Sequence, residues 1–249
     1  MSDNHQEIPL AKVITPPVID HEKEGICFKE GVEYVSHDGR AYHMDIQYPA
    51  NAQGKLPAVI WVHGGGWSDE NLTRKYLPSR EIADLVKRGY VAASIDYRLS
   101  LYYHVAPQAR YPIPQRQLLA AIDHVRSHAE EYHVDPEHIA AWGESAGGHL
   151  VELMAFTTDD EFVDSNYPGI SSRIQAVIPW YAPYDLREKE GEEEEGKEVY
   201  RNLFAYEDEQ ERRRVREAAS PVTYAARSSC MGTATCWWIL LTASGCMRP

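Results

Sequence analysis

A chain of 249 residues is long enough for one substantial core, and its apolar (43%) and charged (25%) shares are those of an ordinary globular protein. A formal net charge of −13 leaves no basic face to meet phosphates, which argues against a nucleic-acid partner. Four cysteines do not suggest a disulfide framework, no apolar run reaches the length of a membrane span, and the polar start Met1–Glu7 is unlike a signal peptide, so a cytoplasmic protein is expected.

Residues 1 to about 30 read as a loose arm with Pro16-Pro17 and mixed charges. Val32–Val35 and Tyr42–Tyr48 alternate with period two around the turn residues His37-Asp38-Gly39-Arg40, which predicts an antiparallel hairpin. Pro57–Val62 is a continuous apolar run, as expected of a strand buried on both faces. The spacing of Ile82, Leu85 and Val86 predicts a helix from about Tyr76 to Arg88, closed by Gly89. Tyr90–Ile95 is the next buried strand. A Tyr-rich loop precedes a helix over Gln117–Tyr132, whose apolar stripe is Leu118, Ala121, Ile122 and Val125. Asp135-Pro136-Glu137 reads as a short capped turn, Ile139–Trp142 as a strand, Ala146–Phe156 as a helix and Ile174–Trp180 as a further strand. Strands alternating with helices behind an opening hairpin predict an α/β fold, a mostly parallel sheet covered on both faces.

Two motifs carry chemistry. Gly143-Glu144-Ser145-Ala146-Gly147 lies between a buried strand and a helix, where so tight a turn requires small residues beside a serine exposed above the sheet. The serine also opens a helix, whose first N–H groups and dipole face any oxyanion formed there. A glycine-rich turn whose serine merely caps the helix is the competing reading. His63-Gly64-Gly65-Gly66 ends an earlier buried strand, and glycines there let backbone N–H groups approach a substrate carbonyl. Ser145 is thus the candidate nucleophile. Gly65, Gly66 and Ala146 are the candidate oxyanion-hole donors. A glycine run alone is usually a flexible turn; the two motifs together, in this order, carry the argument.

At these residues the sequence resembles the α/β-hydrolase fold serine esterases and lipases related to hormone-sensitive lipase, especially the branch of acetyl-xylan and feruloyl esterase-like enzymes. The matching stretches are Val62–Trp67, Asp96–Ser100, Trp142–Leu150, Tyr181–Leu186 and Ser220–Val222, within about residues 30 to 226. The resemblance implies hydrolysis of a small-molecule carboxylic ester through an acyl-enzyme, with no cofactor and no metal. An arylformamidase-like amidohydrolase is the alternative, because related enzymes use a similar His-Gly-Gly-x-Trp stretch. Trp67, Tyr102, Tyr103 and Glu144 are expected to line the substrate pocket, with His104 beside them. One departure stands out: family members commonly carry an acid where this chain has Gln117.

The base is missing. In this fold the triad runs Ser, Asp or Glu, then His. Only His149 follows Ser145 in this chain, one helical turn on, where a packing role is expected. From Ser228 to Pro249 there is a single charged residue, Arg248, and three of the four cysteines. Read in the shifted frame, the codons of Cys230–Gly232 yield His or Tyr followed by Gly, and those of Cys236–Ile239 yield Leu-Val-Asp. A frameshift near Arg227 is therefore expected, giving an arm (1–30), an incomplete hydrolase domain (31–227) and an aberrant tail (228–249). The tail as an ordinary further strand, Cys236–Thr242, is the alternative. A chain without the base is expected to be inactive, a truncated product or a binding module. His124 and His128, four apart on a helix, are expected on a solvated face, without the further ligands of a zinc site. The Glu192–Glu195 run reads as solvent-exposed or disordered, and Arg212–Arg214 as internally ion-paired.

Overall fold

The computed structural model describes residues 18–37, 39–100, 111–156, 167–187, 203 and 209–223. Ten elements are assembled from them. Strands β1 (Ile26–His37), β2 (Arg40–Pro49) and β3 (Leu56–Val62) lead to helix α1 (Ser79–Lys87). Strand β4 (Val91–Ile95), helix α2 (Ile113–Ser127), strand β5 (Val134–Glu144) and helix α3 (Ser145–Met154) follow, then β6 (Ala176–Trp180) and α4 (Glu209–Ala218). The six strands form one sheet in the order β1-β2-β4-β3-β5-β6. β1 pairs antiparallel with β2 and β2 antiparallel with β4, while β3, β4, β5 and β6 run parallel.

The hairpin forms where turn chemistry predicts it, with His37 opposite Arg40 and Gly39 at φ 73°, a conformation that glycine adopts without steric cost. β1 starts at Ile26, inside the stretch expected to be an arm, and Ile26 is buried. Alternation along the parallel strands then sorts the core. Val59, Trp61, Ala92 and Trp142 meet Ile82, Ala83 and Val86 of α1 on one face. Ile60, Val62, Ala93, Ile95 and Ala141 join Leu118, Ala121, Ile122 and Val125 of α2 and Leu150, Val151 and Leu153 of α3 on the other. Each of the large aliphatic side chains fully removed from water contributes about 1.5–3 kcal/mol. Helix α3 is buried from Ala146 to Met154, so it lies against the sheet with no solvent face.

Helix ends follow local chemistry. α1 begins at Ser79 rather than Tyr76, because Pro78 takes the N-cap. It ends as Gly89 predicts: the Gly89 N–H donates to Val86 and the Tyr90 N–H to Leu85, with Gly89 at φ 89°. α2 starts four residues earlier than expected, with prolines at its first turn, and ends at Ser127, so the stretch to Tyr132 is turn rather than helix. Asp135-Pro136-Glu137 is not a separate turn. β5 runs through it as a bulge, Leu56 pairing with Val134 and Ala58 with Ile139, while Asp135 Oδ1 accepts the Glu137 N–H at 3.1 Å. α3 opens on Ser145 and closes at Met154, and β6 starts at Ala176.

His124 departs from expectation. It is buried, not solvated, with Nδ1 2.6 Å from the Tyr167 hydroxyl and Nε2 3.2 Å from that of Tyr132, and it stacks on His128. Two tyrosines occupy both ring nitrogens, a partnership invisible in the helical spacing alone. Among the described residues no three His, Cys, Asp or Glu side chains gather as a metal site, and no helix is long and apolar enough to cross a membrane.

Candidate active site

β3, β5 and β6 are neighbours and parallel, so their carboxyl ends deliver three loops to one edge of the sheet. Each loop opens on strained backbone. Gly65, Gly66 and Trp67 after β3 have φ 101°, 56° and 60°; Ser145 after β5 has φ 49°; Tyr181 after β6 has φ 38°. Non-glycine residues in this region cost about 1–3 kcal/mol each and persist only where the surroundings over-determine them.

Val62 lies level with Gly143 across the β3–β5 pair, so His63-Gly64 and Glu144-Ser145 leave the sheet side by side. A Cβ on Gly64 would sit 3.1 Å from the Glu144 carbonyl oxygen and 3.2 Å from Ser145 Cβ. A Cβ on Gly143 would lie 2.5 Å from the Gly147 carbonyl oxygen, and one on Gly147 would strike the carbonyls of Val62 and His63. One on Gly148 would meet Ala182 Cβ and the Trp180 carbonyl, both at 2.9 Å. The glycines around Ser145 are thus dictated by backbone-to-backbone contact. Ala146, buried, follows Ser145 in the first turn of α3, where N–H groups have no intrahelical partner.

The glycine loop is held by its carbonyls. Gly65 O accepts the N–H groups of Ser68 (3.0 Å) and Asp69 (2.9 Å). Gly64 O accepts from His63 Nδ1 at 2.9 Å, which assigns the ring proton to that nitrogen. The Tyr97 hydroxyl lies 3.0 Å from His63 O and 3.2 Å from Gly64 O, and its ring stacks on His63 with centroids 4.5 Å apart. Burial, with the nearby Glu144 charge second, raises the Tyr97 phenol well above its ordinary range, so it remains a donor. Burial lowers the basicity of His63. Among the described residues neither the Gly65 nor the Gly66 N–H has a backbone acceptor.

The other expected site residues fall as follows. Glu144 closes β5, and its carboxylate accepts a short hydrogen bond from the Tyr181 hydroxyl. Trp67 is 1% exposed, its ring edge-on to His149 at 5.2 Å and its carbonyl bonded by the N–H and hydroxyl of Ser100, so it supports the loop from below rather than presenting an open face. Tyr102, Tyr103 and His104 lie outside the described residues, as does the tail from residue 224. His149 packs as expected: Nε2 lies 2.8 Å from the Ala219 carbonyl oxygen, and burial pushes its pKa down to about 4, leaving it neutral. Gln117 has structural work of its own, Oε1 accepting the Arg98 N–H at 2.6 Å.

Three residues escaped the reading of the sequence. Tyr97 and Tyr181 sit in stretches that match the esterase pattern, yet nothing there assigns them a partner. Arg74 carries no signal at all, although it joins Asp45 (2.7 Å) to Asp96 (2.6 Å) behind the site.

The chain is similar to known proteins. LipM of Mycobacterium tuberculosis, a probable carboxylic ester hydrolase, is 32% identical over 59% of this chain and 33% of its own length. The carboxylesterase NlhH of the same organism is 33% identical over 55% of this chain and 49% of its own. The chain therefore spans about a third to a half of the length of these relatives. Among solved structures, native esterase Est2 of the planctomycete Thermogutta terrifontis superposes with a TM-score of 0.61 at 27% identity, over 84% of this chain and 68% of that one. The fold is that of the α/β-hydrolases. The BD-FAE family profile matches residues 44–231, well over half of the chain, and the chain belongs to the BD-FAE family.

Proposed function

We propose that the chain is a carboxylic ester hydrolase of the serine acyl-enzyme type by descent, and that these 249 residues alone turn over esters negligibly. One observation carries the first part. The strained Ser145, at φ 49°, stands against a glycine loop whose Gly64 comes so close that no Cβ fits freely between them. In this reading the Ser145 hydroxyl oxygen bonds to the ester carbonyl carbon. The carbonyl oxygen takes up negative charge and is met by the N–H groups of Gly65, Gly66 and Ala146. Collapse expels the alcohol and leaves an acyl group on Ser145, which water then removes. Losing one such donor costs about 3–4 kcal/mol of transition-state stabilisation in comparable sites.

The second part rests on the proton. The attacking hydroxyl must surrender its hydrogen, and His149, the only histidine after Ser145, is neutral but turned to the Ala219 carbonyl. Without a base, a triad serine loses roughly a millionfold in turnover. Hydrolysis of short-chain nitrophenyl esters should therefore match a Ser145→Ala control. Turnover above that control would sink the claim of inactivity and support the serine assignment. Cleavage of an N-formyl aromatic amine in preference to the esters would favour the amidohydrolase reading.

A binding protein built on the same pocket is the second reading, and turnover that matches the Ser145→Ala control is the result it expects. We attribute the missing groups to a frame change near Arg227, supported by the composition break after that residue and by the end of the family match at residue 231. Sequencing the locus through the Arg227 codon tests it. An intact frame with homologues sharing the tail would overturn it.

A further inference from the structure

We infer that Tyr97 is a positioning residue that sets the direction of the oxyanion-binding N–H of Gly65; the inference rests on the esterase reading above. A trans peptide is planar, with its C=O and N–H pointing opposite ways. Whatever fixes the carbonyl of Gly64 therefore fixes the N–H of Gly65. That carbonyl is held by two groups, the Tyr97 hydroxyl at 3.2 Å and His63 Nδ1 at 2.9 Å. The same phenol lies 3.0 Å from the carbonyl of His63 and so grips two consecutive peptide units with one proton donor. Gly65, at φ 101°, has no side chain to restrain it, and its own carbonyl is tied separately to Ser68 and Asp69. Without the phenol, the Gly64–Gly65 peptide is left to its neighbour's imidazole alone.

Tyr97 is itself immobilised from both sides. Before it, Asp96 receives the Arg74 guanidinium at 2.6 Å and the Arg74 N–H at 2.8 Å, and its carbonyl takes the Tyr34 hydroxyl at 2.5 Å. After it, the Arg98 N–H is fixed by Gln117 of α2 at 2.6 Å. Tyr97 is 3% exposed and its ring lies flat on His63, so the hydroxyl has little freedom to look elsewhere. The fold thus connects the ion-paired interior of the hairpin to the glycine loop through one phenol.

Tyr97→Phe in the full chain tests this, because it keeps the ring stack and removes only the donor. Backbone hydrogen exchange across residues 62–69, followed by mass spectrometry, is read first, since it needs no turnover. Exchange in that segment should accelerate about tenfold, the worth of one buried hydrogen bond, with the melting temperature lowered by only a few degrees and segments away from the loop nearly unchanged. Unchanged exchange there, or acceleration spread over the whole sheet, would overturn the inference. The second arm is the rate at which a fluorophosphonate labels Ser145, which should fall about tenfold at saturating probe with its half-saturating concentration unchanged. Equal labelling in parent and variant would also overturn it. If the parent itself is not labelled at Ser145, the missing base accounts for it without touching the esterase reading, and local exchange alone decides for or against Tyr97 as the brace of the loop.

Discussion

Glu152 lies two turns along α3 from Ser145, 2% exposed, with no partner for Oε2 among the described residues. Burial raises its pKa to about 7 against an unfolded value near 4.5. The folded state therefore holds this proton more tightly than the unfolded one, and stability falls as pH rises from about 4.5 through 7, by up to about 3 kcal/mol. His124 and His149 act in the opposite sense. Both are pushed down to about 4 by burial, so the unfolded chain binds their protons first and stability is lost as pH falls from about 6.5 towards 4. Glu152→Gln should make the melting temperature rise more steeply with pH between about 4.5 and 7, where the glutamate opposes the two histidines; an unchanged profile there would show that Glu152 ionises freely. Gly147→Ala should cost about 3 kcal/mol or more in urea denaturation, since its Cβ strikes backbone that cannot rotate away. At this scale the elbow was legible because glycine beside a serine leaves a pattern in the chain. Glu152 was not, because a buried acid on an otherwise apolar helix has no spacing that marks it.

Elements were legible wherever burial imposes a period. The runs that became β3, β4 and β5 and the stripes of α1 and α2 emerged with their cores intact, and their ends moved by a few residues under proline and glycine control. The β5 bulge was misread because Asp-Pro-Glu carries the chemistry of a helix start, and only pairing with β3 shows that the chain continues as a strand. Arg74 gives a sharper case of tertiary information. Its guanidinium bridges Asp45 on β2 and Asp96 after β4, residues 29 and 22 positions away. Arg74→Met should leave the buried Asp45 carboxylate with the Gly31 N–H at 2.7 Å and lower stability by about 3 kcal/mol. A shift in denaturation midpoint of less than about a third of that would mean the two aspartates are satisfied by water.

On the scale of the molecule, β1 and β6 are the two edges of the sheet among the described residues. β6 is bonded only to β5 among the described strands, and Ile178, Trp180, Tyr181 and Tyr76 stand exposed around a groove lined by Leu85, Arg88 and Trp142. Contiguous aromatic surface of this kind binds apolar dyes and promotes association, even on a chain of net charge −13. Replacing Ile178 and Trp180 by Thr and Ser should reduce 8-anilinonaphthalene-sulfonate fluorescence and shift sedimentation towards monomer. Persistence of both would place the sticky surface elsewhere. The sequence named the fold class from its alternation of strands and helices, and placed Ser145 at a tight strand-to-helix turn. The exposure of Ile178 and Trp180 was not visible in it, because an apolar run reads the same whether its side chains are covered or not.

The backbone at Ser145 sets folding against chemistry. A serine at φ 49° occupies a conformation that glycine enters without penalty. Removing the hydroxyl with Ser145→Gly relieves that strain, and the relief exceeds the extra freedom glycine gives the unfolded chain. The variant that removes the proposed nucleophile should therefore melt higher than the parent, by about 1 kcal/mol of added stability. Stability alone would favour glycine at this position, so the serine found there is a choice that stability does not explain.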